Sequence, residues 1–253
     1  MRTFLTIDVG NTNVKYALFK NSKLVKFWSH PTAETNQRCA AVLGETRVPI
    51  ALCSVVPAAS AVIRQVAAGR QIIEVTAALQ DILKGMPDQM GADRVAAAVA
   101  AWKIYGKGRQ PVVVMSFGSA TTLLAIDKTG EQRGGWIAPG ISMTLEALHR
   151  CALLPLMQME QPATELGFTT ETHMRNGVFV AHVGAAREYL KVATAELGSQ
   201  AVCVATGGWA GAVQKHGELF DHVDAELTLK GIYLIASRAT RGKTRNRRVS
   251  KAS

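Results

Sequence analysis

The chain has 253 residues, 48% of them hydrophobic and 19% charged, with 29 Lys and Arg against 19 Asp and Glu for a formal charge of +10. That length allows one large domain or two small ones sharing a cleft, and the composition lies outside the polar, highly charged regime that keeps chains disordered. No stretch approaches the roughly 18 uninterrupted apolar residues of a membrane span, and Asp8 falls where a signal peptide would keep its apolar core, so a cytoplasmic protein with no membrane partner is expected.

In chain order, residues 3–9 (TFLTIDV) predict a strand and residues 14–20 (VKYALFK) its hairpin partner, joined by the polar turn Gly10-Asn11-Thr12-Asn13. A buried strand over 50–57, a helix from about Ala58, a short strand over 71–75 and an alanine-rich helix over 91–106 follow. Residues 111–127 (PVVVMSFGSATTLLAID) then repeat the opening layout of β-branched strand, Gly-centred polar turn and second strand. The alignment sets Asp8 against Ser116 and Gly10 against Gly118, an offset of 108, and predicts two similar half-domains whose turns face each other across a cleft.

The second half continues with a Gly/Pro loop feeding a helix (134–150), a long helical region from Thr169, a strand over 201–211 and a helix near residue 230. Strands mixed with helices of this length indicate an α/β fold. The expected domains are 1–110 and 111–237. The remaining segment, 238–253, holds seven Lys or Arg and no acid, so residues 1–237 carry only +10 − 7 = +3. It is expected as a disordered basic tail. Only this tail suits contact with nucleic acid or another polyanion, and it lacks aromatic residues for base stacking. Cys39, Cys53, Cys151 and Cys203 form no metal-ligand spacing and are expected as reduced, mostly buried thiols, and the six histidines show no ligand pattern.

The segment Asp8-Val9-Gly10-Asn11-Thr12-Asn13-Val14-Lys15 is the richest in chemistry. A glycine admits a phosphate close to the backbone, successive turn N–H groups make an anion nest, and Lys15 adds positive charge. Asp8 could hold Mg²⁺ through water. The plain alternative is an ordinary hairpin with Asx-type turn residues, and neither a Walker A nor a GxGxxG pattern is present. Gly207 and Gly208 follow a strand, where they would let a flat adenine or ribose lie on the backbone or serve only as a tight turn. Gly91-Ala92-Asp93-Arg94 opens a helix. Asp93 there is either a capping acid favoured by the helix dipole or a general base for a hydroxyl attacking phosphorus, with Arg94 holding an anionic group.

Taken together, DVGNTNVK, SVVP (54–57), GADR (91–94), FGSATT (117–122), GGWIAPG (134–140), the GxxT at Gly167–Thr170 followed by Gly177, TGG (206–208) and LKG (229–231) resemble type III pantothenate kinase, a family of the acetate-kinase, sugar-kinase, Hsp70 and actin superfamily. The resemblance implies two duplicated actin-like half-domains, ATP-dependent phosphorylation of pantothenate as the first step of coenzyme A synthesis, and a homodimer whose pantothenate pocket borrows partner residues. It assigns ATP phosphates to Asp8–Lys15, an ATP contact to Ser119, pantothenate contacts to Gly91, Ala92, Asp93, Arg94 and Thr170, and the catalytic base to Asp93.

Two positions depart from the family pattern. Ser116 stands where an aspartate would bind K⁺ or NH₄⁺, and Lys84 stands near where a tyrosine would line the pantothenate pocket. A neutral hydroxyl cannot supply a carboxylate's charge to a hard cation. The other readings these departures admit are a weak or inactive nucleotide-binding homologue with a regulatory role, and a kinase for another small hydroxy acid.

Overall fold

The computed structural model describes residues 2–198 and 200–249, residues 242–249 by backbone alone. The chain forms two compact units, one comprising residues 1–100 and 226–253 and the other residues 101–225. Each contains one five-stranded sheet.

In the first unit the strands are β1 (Thr3–Val9), β2 (Asn13–Lys20), β3 (Lys23–Pro31), β4 (Ile50–Ser54) and β5 (Ile72–Glu74), in the order β3-β2-β1-β4-β5. β1 runs antiparallel to β2 and parallel to β4. Central β1 is covered on both faces, as a strand flanked by helices must be. Leu5, Ile7 and Val9 enter a core with Cys39, Val42 and Leu43 of α1 (Thr35–Gly44) and Ile63 of α2 (Pro57–Val66), whose proline at the first turn suits a helix start. On the opposite face Phe4 meets Tyr233 of α7 (Leu227–Val249) edge-on. Asp8 shares that face by strand alternation.

α3 (Ala92–Ala100) packs against α7. Its residues Val95 to Ala100 are all buried, and a side chain at Gly231 would strike the carbonyl oxygen of Ala96. Alanines facing a glycine let the two backbones approach closely.

The second unit repeats this plan with β6 (Val112–Phe117), β7 (Ala120–Ile126), β8 (Gln132–Pro139), β9 (Val202–Thr206) and β10 (His222–Val223), in the order β10-β9-β6-β7-β8. Counting each strand from the start of its own half, the two orders are identical. Val113, Met115 and Phe117 enter a core with Met174, Val178, Phe179 and Val183 of α5 (Thr170–Leu197) and Ala210 and Val213 of α6 (Ala210–Gly217). Thr169 and Thr172 close a reciprocal capping box at the start of α5.

Several expectations change. The Gly/Pro loop at 134–139 is strand β8, followed by α4 (Ile141–Ala147). The helix expected over 91–106 is α-helical to Ala100 and then widens into a π-helical turn at Ala101–Tyr105. The division at 110 and 237 differs from the observed units, because the helix from Leu227 packs on β1 and α3 and so belongs with the first half. α7 also continues to Val249, so the basic segment expected as a disordered tail from residue 238 is helical that far. Residues 250–253 lie outside the described residues.

Candidate active site

In the first unit, strand register places the key residues side by side. Asp8 pairs with Lys15 on β2 and with Cys53 on β4, and Lys15 pairs with Ser29 on β3. This gives a row Cys53-Asp8-Lys15-Ser29 across four strands, at the end of β1 where the chain turns. The turn is closed by the Gly10 N–H donating to the Asn13 carbonyl at 3.1 Å.

Asp93, in the first turn of α3, completes the cluster. Burial pushes the Asp8 carboxyl up to about 7, the negative charge of Asp93 adds to the rise, and Lys15 opposes it. Cys53 is pushed well above a free thiol by burial first and then by Asp8, Asp93 and Glu74. It is a buried inert neighbour, the opposite of a thiolate nucleophile. Asp93 Oδ1 is buried without a hydrogen-bond partner, and so is Arg94 Nε. Gly91 makes room for that carboxylate, since a Cβ there would lie 2.7 Å from Asp93 Oδ1. A cavity of about 250 Å³ opens beside Ala92, lined also by Ser54, Ser60, Arg64, Glu74 and Thr76. Arg64 is occupied by Glu74 at 2.7 and 3.3 Å.

In the second unit the equivalent row is neutral: Ser116 pairs with Thr122 on β7 and Thr206 on β9, and Thr122 pairs with Ile137 on β8. Its turn is tighter, with the Gly118 N–H donating to the Ala120 carbonyl at 3.1 Å, and the Ser119 carbonyl accepts from the Gly140 N–H at 3.2 Å. Gly207 has φ +95°, and a Cβ there would come within 2.5 Å of the Phe117 carbonyl oxygen. It is the residue that lets the loop after β9 pass over this turn. Gly208 is exposed with open space where its Cβ would be. One glycine is thus required by packing, and its neighbour leaves a flat open surface.

The structure therefore brings Asp8, Lys15, Asp93 and the turn 10–13 together in one unit, and Ser116, Ser119 and Gly207 in the other. Thr170 is exposed at the start of α5, and Lys84 is exposed in the loop ahead of α3. Local pattern does not signal Cys53 beside Asp8, Thr206 beside Ser116, or Thr32, which bonds to the first turn. The first two were readable only through the parallel register of β1 with β4 and of β6 with β9.

Residues 4–192 match the family model for type III pantothenate kinase. Proteins called type III pantothenate kinase share 32% identity in Moorella thermoacetica (93% of this chain, 99% of the relative). In Sphingopyxis alaskensis they share 36% (90% and 95%). Among solved structures, a Baf family protein described as a transcriptional activator from Campylobacter jejuni aligns at TM-score 0.62 and 19% identity, covering 94% of this chain and 99% of that one. A polyphosphate/ATP-glucomannokinase from Arthrobacter aligns at 0.55 and 14%, covering 94% and 100%. At those identities the structures speak for the fold, the duplicated actin-like α/β architecture expected from the sequence.

Proposed function

The chain belongs to the type III pantothenate kinase family, and from that premise we propose how its residues transfer the γ-phosphate of ATP to pantothenate, giving 4′-phosphopantothenate and ADP. The observation that carries the assignment is the buried, unpartnered Asp93 Oδ1 beside the partly buried Asp8. An acceptor's primary hydroxyl supplies the missing hydrogen bond.

Asp93 takes that proton as the hydroxyl oxygen bonds to the γ-phosphorus. The bond from the γ-phosphorus to the bridging oxygen breaks, and its electron pair leaves on ADP. Such a reaction asks for alignment and charge neutralisation more than for covalent participation. The turn from Val9 to Val14 offers backbone N–H groups to the phosphates, Lys15 adds charge, and Arg94 suits the acceptor's carboxylate. Ser119, Gly207 and Gly208 are assigned to the nucleotide, and Gly91, Ala92 and Thr170 to the acceptor.

Among the described residues no three His, Cys, Asp or Glu side chains gather to cage a metal. Asp8 is the carboxylate that would hold Mg²⁺, an ion that leans on nucleotide phosphates and keeps most of its waters. When bound, the ion neutralises charge on the transferring phosphates. The neutral row at Ser116 does not fit a site for K⁺ or NH₄⁺ that depends on a carboxylate, so transfer is proposed to proceed without a strong monovalent-cation requirement. The presence of both Asp8 and Asp93, near enough for their charges to interact, supports an active kinase over a regulatory homologue.

A homodimer is proposed as well. In the second unit Trp136, Ile137, Met143, Leu166 and Phe168 are exposed, Ile137 by 65% and Phe168 by 96%, and apolar side chains of this size suit burial against a second copy. No helix among the described residues is long and apolar enough to cross a membrane. All four cysteines are free, which supports a reducing compartment such as the cytoplasm.

The experiment that tests the base assignment is Asp93→Asn. Turnover is expected to fall by about a thousandfold, within the usual span of a general base, while a non-hydrolysable ATP analogue still binds. Turnover close to the parent's removes Asp93 from the role.

A further inference from the structure

The nucleotide turn of the first half is gripped from outside by Thr32. β3 ends at Pro31, paired with Asn13 of the turn. Thr32 then donates its backbone N–H to the Thr12 carbonyl at 2.9 Å and its hydroxyl to the Gly10 carbonyl at 2.7 Å. The Gly10–Asn11 peptide is the one most able to flip, because glycine has no Cβ to oppose it. A flipped peptide would present its carbonyl oxygen to a phosphate in place of its N–H. With the carbonyl bonded to Thr32, the N–H of the same trans peptide points the opposite way.

Thr32 is itself anchored. The Thr35 hydroxyl donates to its carbonyl at 2.7 Å. Just upstream, His30 Nδ1–H donates to the Pro31 carbonyl at 2.8 Å, which leaves Nε2 to accept the Tyr16 phenol at 3.0 Å. Tyr16 and His30 are both buried.

The second half supplies an internal comparison. Gly140 follows Pro139 as Thr32 follows Pro31, 108 residues on, and its N–H also donates to a turn carbonyl, that of Ser119. A Cβ at Gly140 would strike that same oxygen. The backbone strap is therefore common to both halves. The hydroxyl grip exists only in the half that carries Asp8, Lys15 and Asp93.

We propose that Thr32 is a positioning residue for the nucleotide, holding the Gly10–Asn11 N–H toward the phosphates by occupying the Gly10 carbonyl. The proposal rests on the reading of Asp8–Lys15 as the phosphate cradle. Thr32→Val keeps the shape and the backbone N–H and removes only the hydroxyl. It is expected to weaken binding of a non-hydrolysable ATP analogue, and to raise KM for ATP, by about tenfold, with kcat and the pantothenate KM changed less than about twofold. Thr32→Ser restores the parent's values.

Thr6→Val is the control for mere loss of stability. It deletes another buried hydroxyl bond of the same hairpin, to the Ala17 carbonyl at 3.1 Å, and is expected to lower Tm without changing analogue affinity. The proposal is overturned if Thr32→Val binds the analogue as the parent does, or if Thr6→Val weakens binding equally. Should Thr32→Val not fold, Thr32→Ala gives the same readout. Failure of the parent itself to bind the analogue would overturn the cradle reading and the clamp with it, an outcome distinct from either of these.

Discussion

The two halves share strand order, strand pairing and even the proline that ends the third strand, yet one presents a row of Cys53, Asp8, Lys15 and Ser29 and the other a row of Thr206, Ser116, Thr122 and Ile137. The first row is charged and the second neutral. The scaffold is thus indifferent to which row it carries. Near-continuous burial along β1 and β6 marks them as the central strands of their sheets, and the few residues where each hairpin turns differ between the halves. In the proposed mechanism the charged groups that meet the phosphates come from the first half.

The sharpest way to break this comparison is to remove the polar group at the equivalent position of each row in turn. If Asp8 makes the charge-assisted contact proposed for it, Asp8→Asn is expected to lower kcat/KM for ATP by about a hundredfold. Ser116→Ala should change it by no more than about threefold. Steady-state kinetics on both proteins decides the matter, and equal losses would erase the distinction between the rows.

A second test addresses what holds Asp93 in place. Gly231→Ala drives a methyl into the Ala96 carbonyl where α7 crosses α3. Overpacking against backbone of this kind should cost about 3 kcal/mol of stability and displace Asp93, read as a lower Tm and a lower kcat together. The exposed salt bridge of Arg238 with Asp81, on the same helix, is expected to contribute under about 1 kcal/mol when broken by Asp81→Asn.

The third prediction concerns pH. Asp8 is raised to about 7 from an ordinary 3.8, so the folded protein binds its proton more tightly than the unfolded chain does. The resulting stability is fully present below about pH 4 and is lost as pH rises through 7. Binding of the ATP analogue with Mg²⁺ should strengthen over the same rise, as Asp8 ionises. In Asp8→Asn both trends should flatten, which thermal melts and titrations at several pH values would reveal. The smallest expected effect is on ion preference: Ser116→Asp should give the second row a carboxylate and make activity respond to K⁺ or NH₄⁺ by a few-fold.

Much of this was legible in the residues and some of it was not. The two hairpins announce themselves because β-branched runs flank Gly turns, and their offset of 108 reveals the duplication. β3 gives no strand signal in the sequence, because an exposed edge strand, KLVKFWSHP, shows no alternating pattern and carries the lysines that protect edges. Its hairpin turn, Asn21-Ser22 with φ of 51° and 67°, is a left-handed pair without the usual glycine. β8 reads as a loop because it is rich in Gly and Pro.

Helix α7 continues through a basic segment whose composition alone predicts a solvated tail. Asp8 and Asp93 were visible as residue types. Their proximity and the grip of Thr32 on Gly10, 22 residues away in sequence, depend on tertiary packing that no local pattern encodes.

The most direct test of the account is ATP- and Mg²⁺-dependent phosphorylation of pantothenate by the purified protein with K⁺, with NH₄⁺ and with neither, the product identified by mass spectrometry. The account predicts 4′-phosphopantothenate at comparable rates in all three conditions. Absence of product throughout, or product only when K⁺ or NH₄⁺ is present, would contradict it.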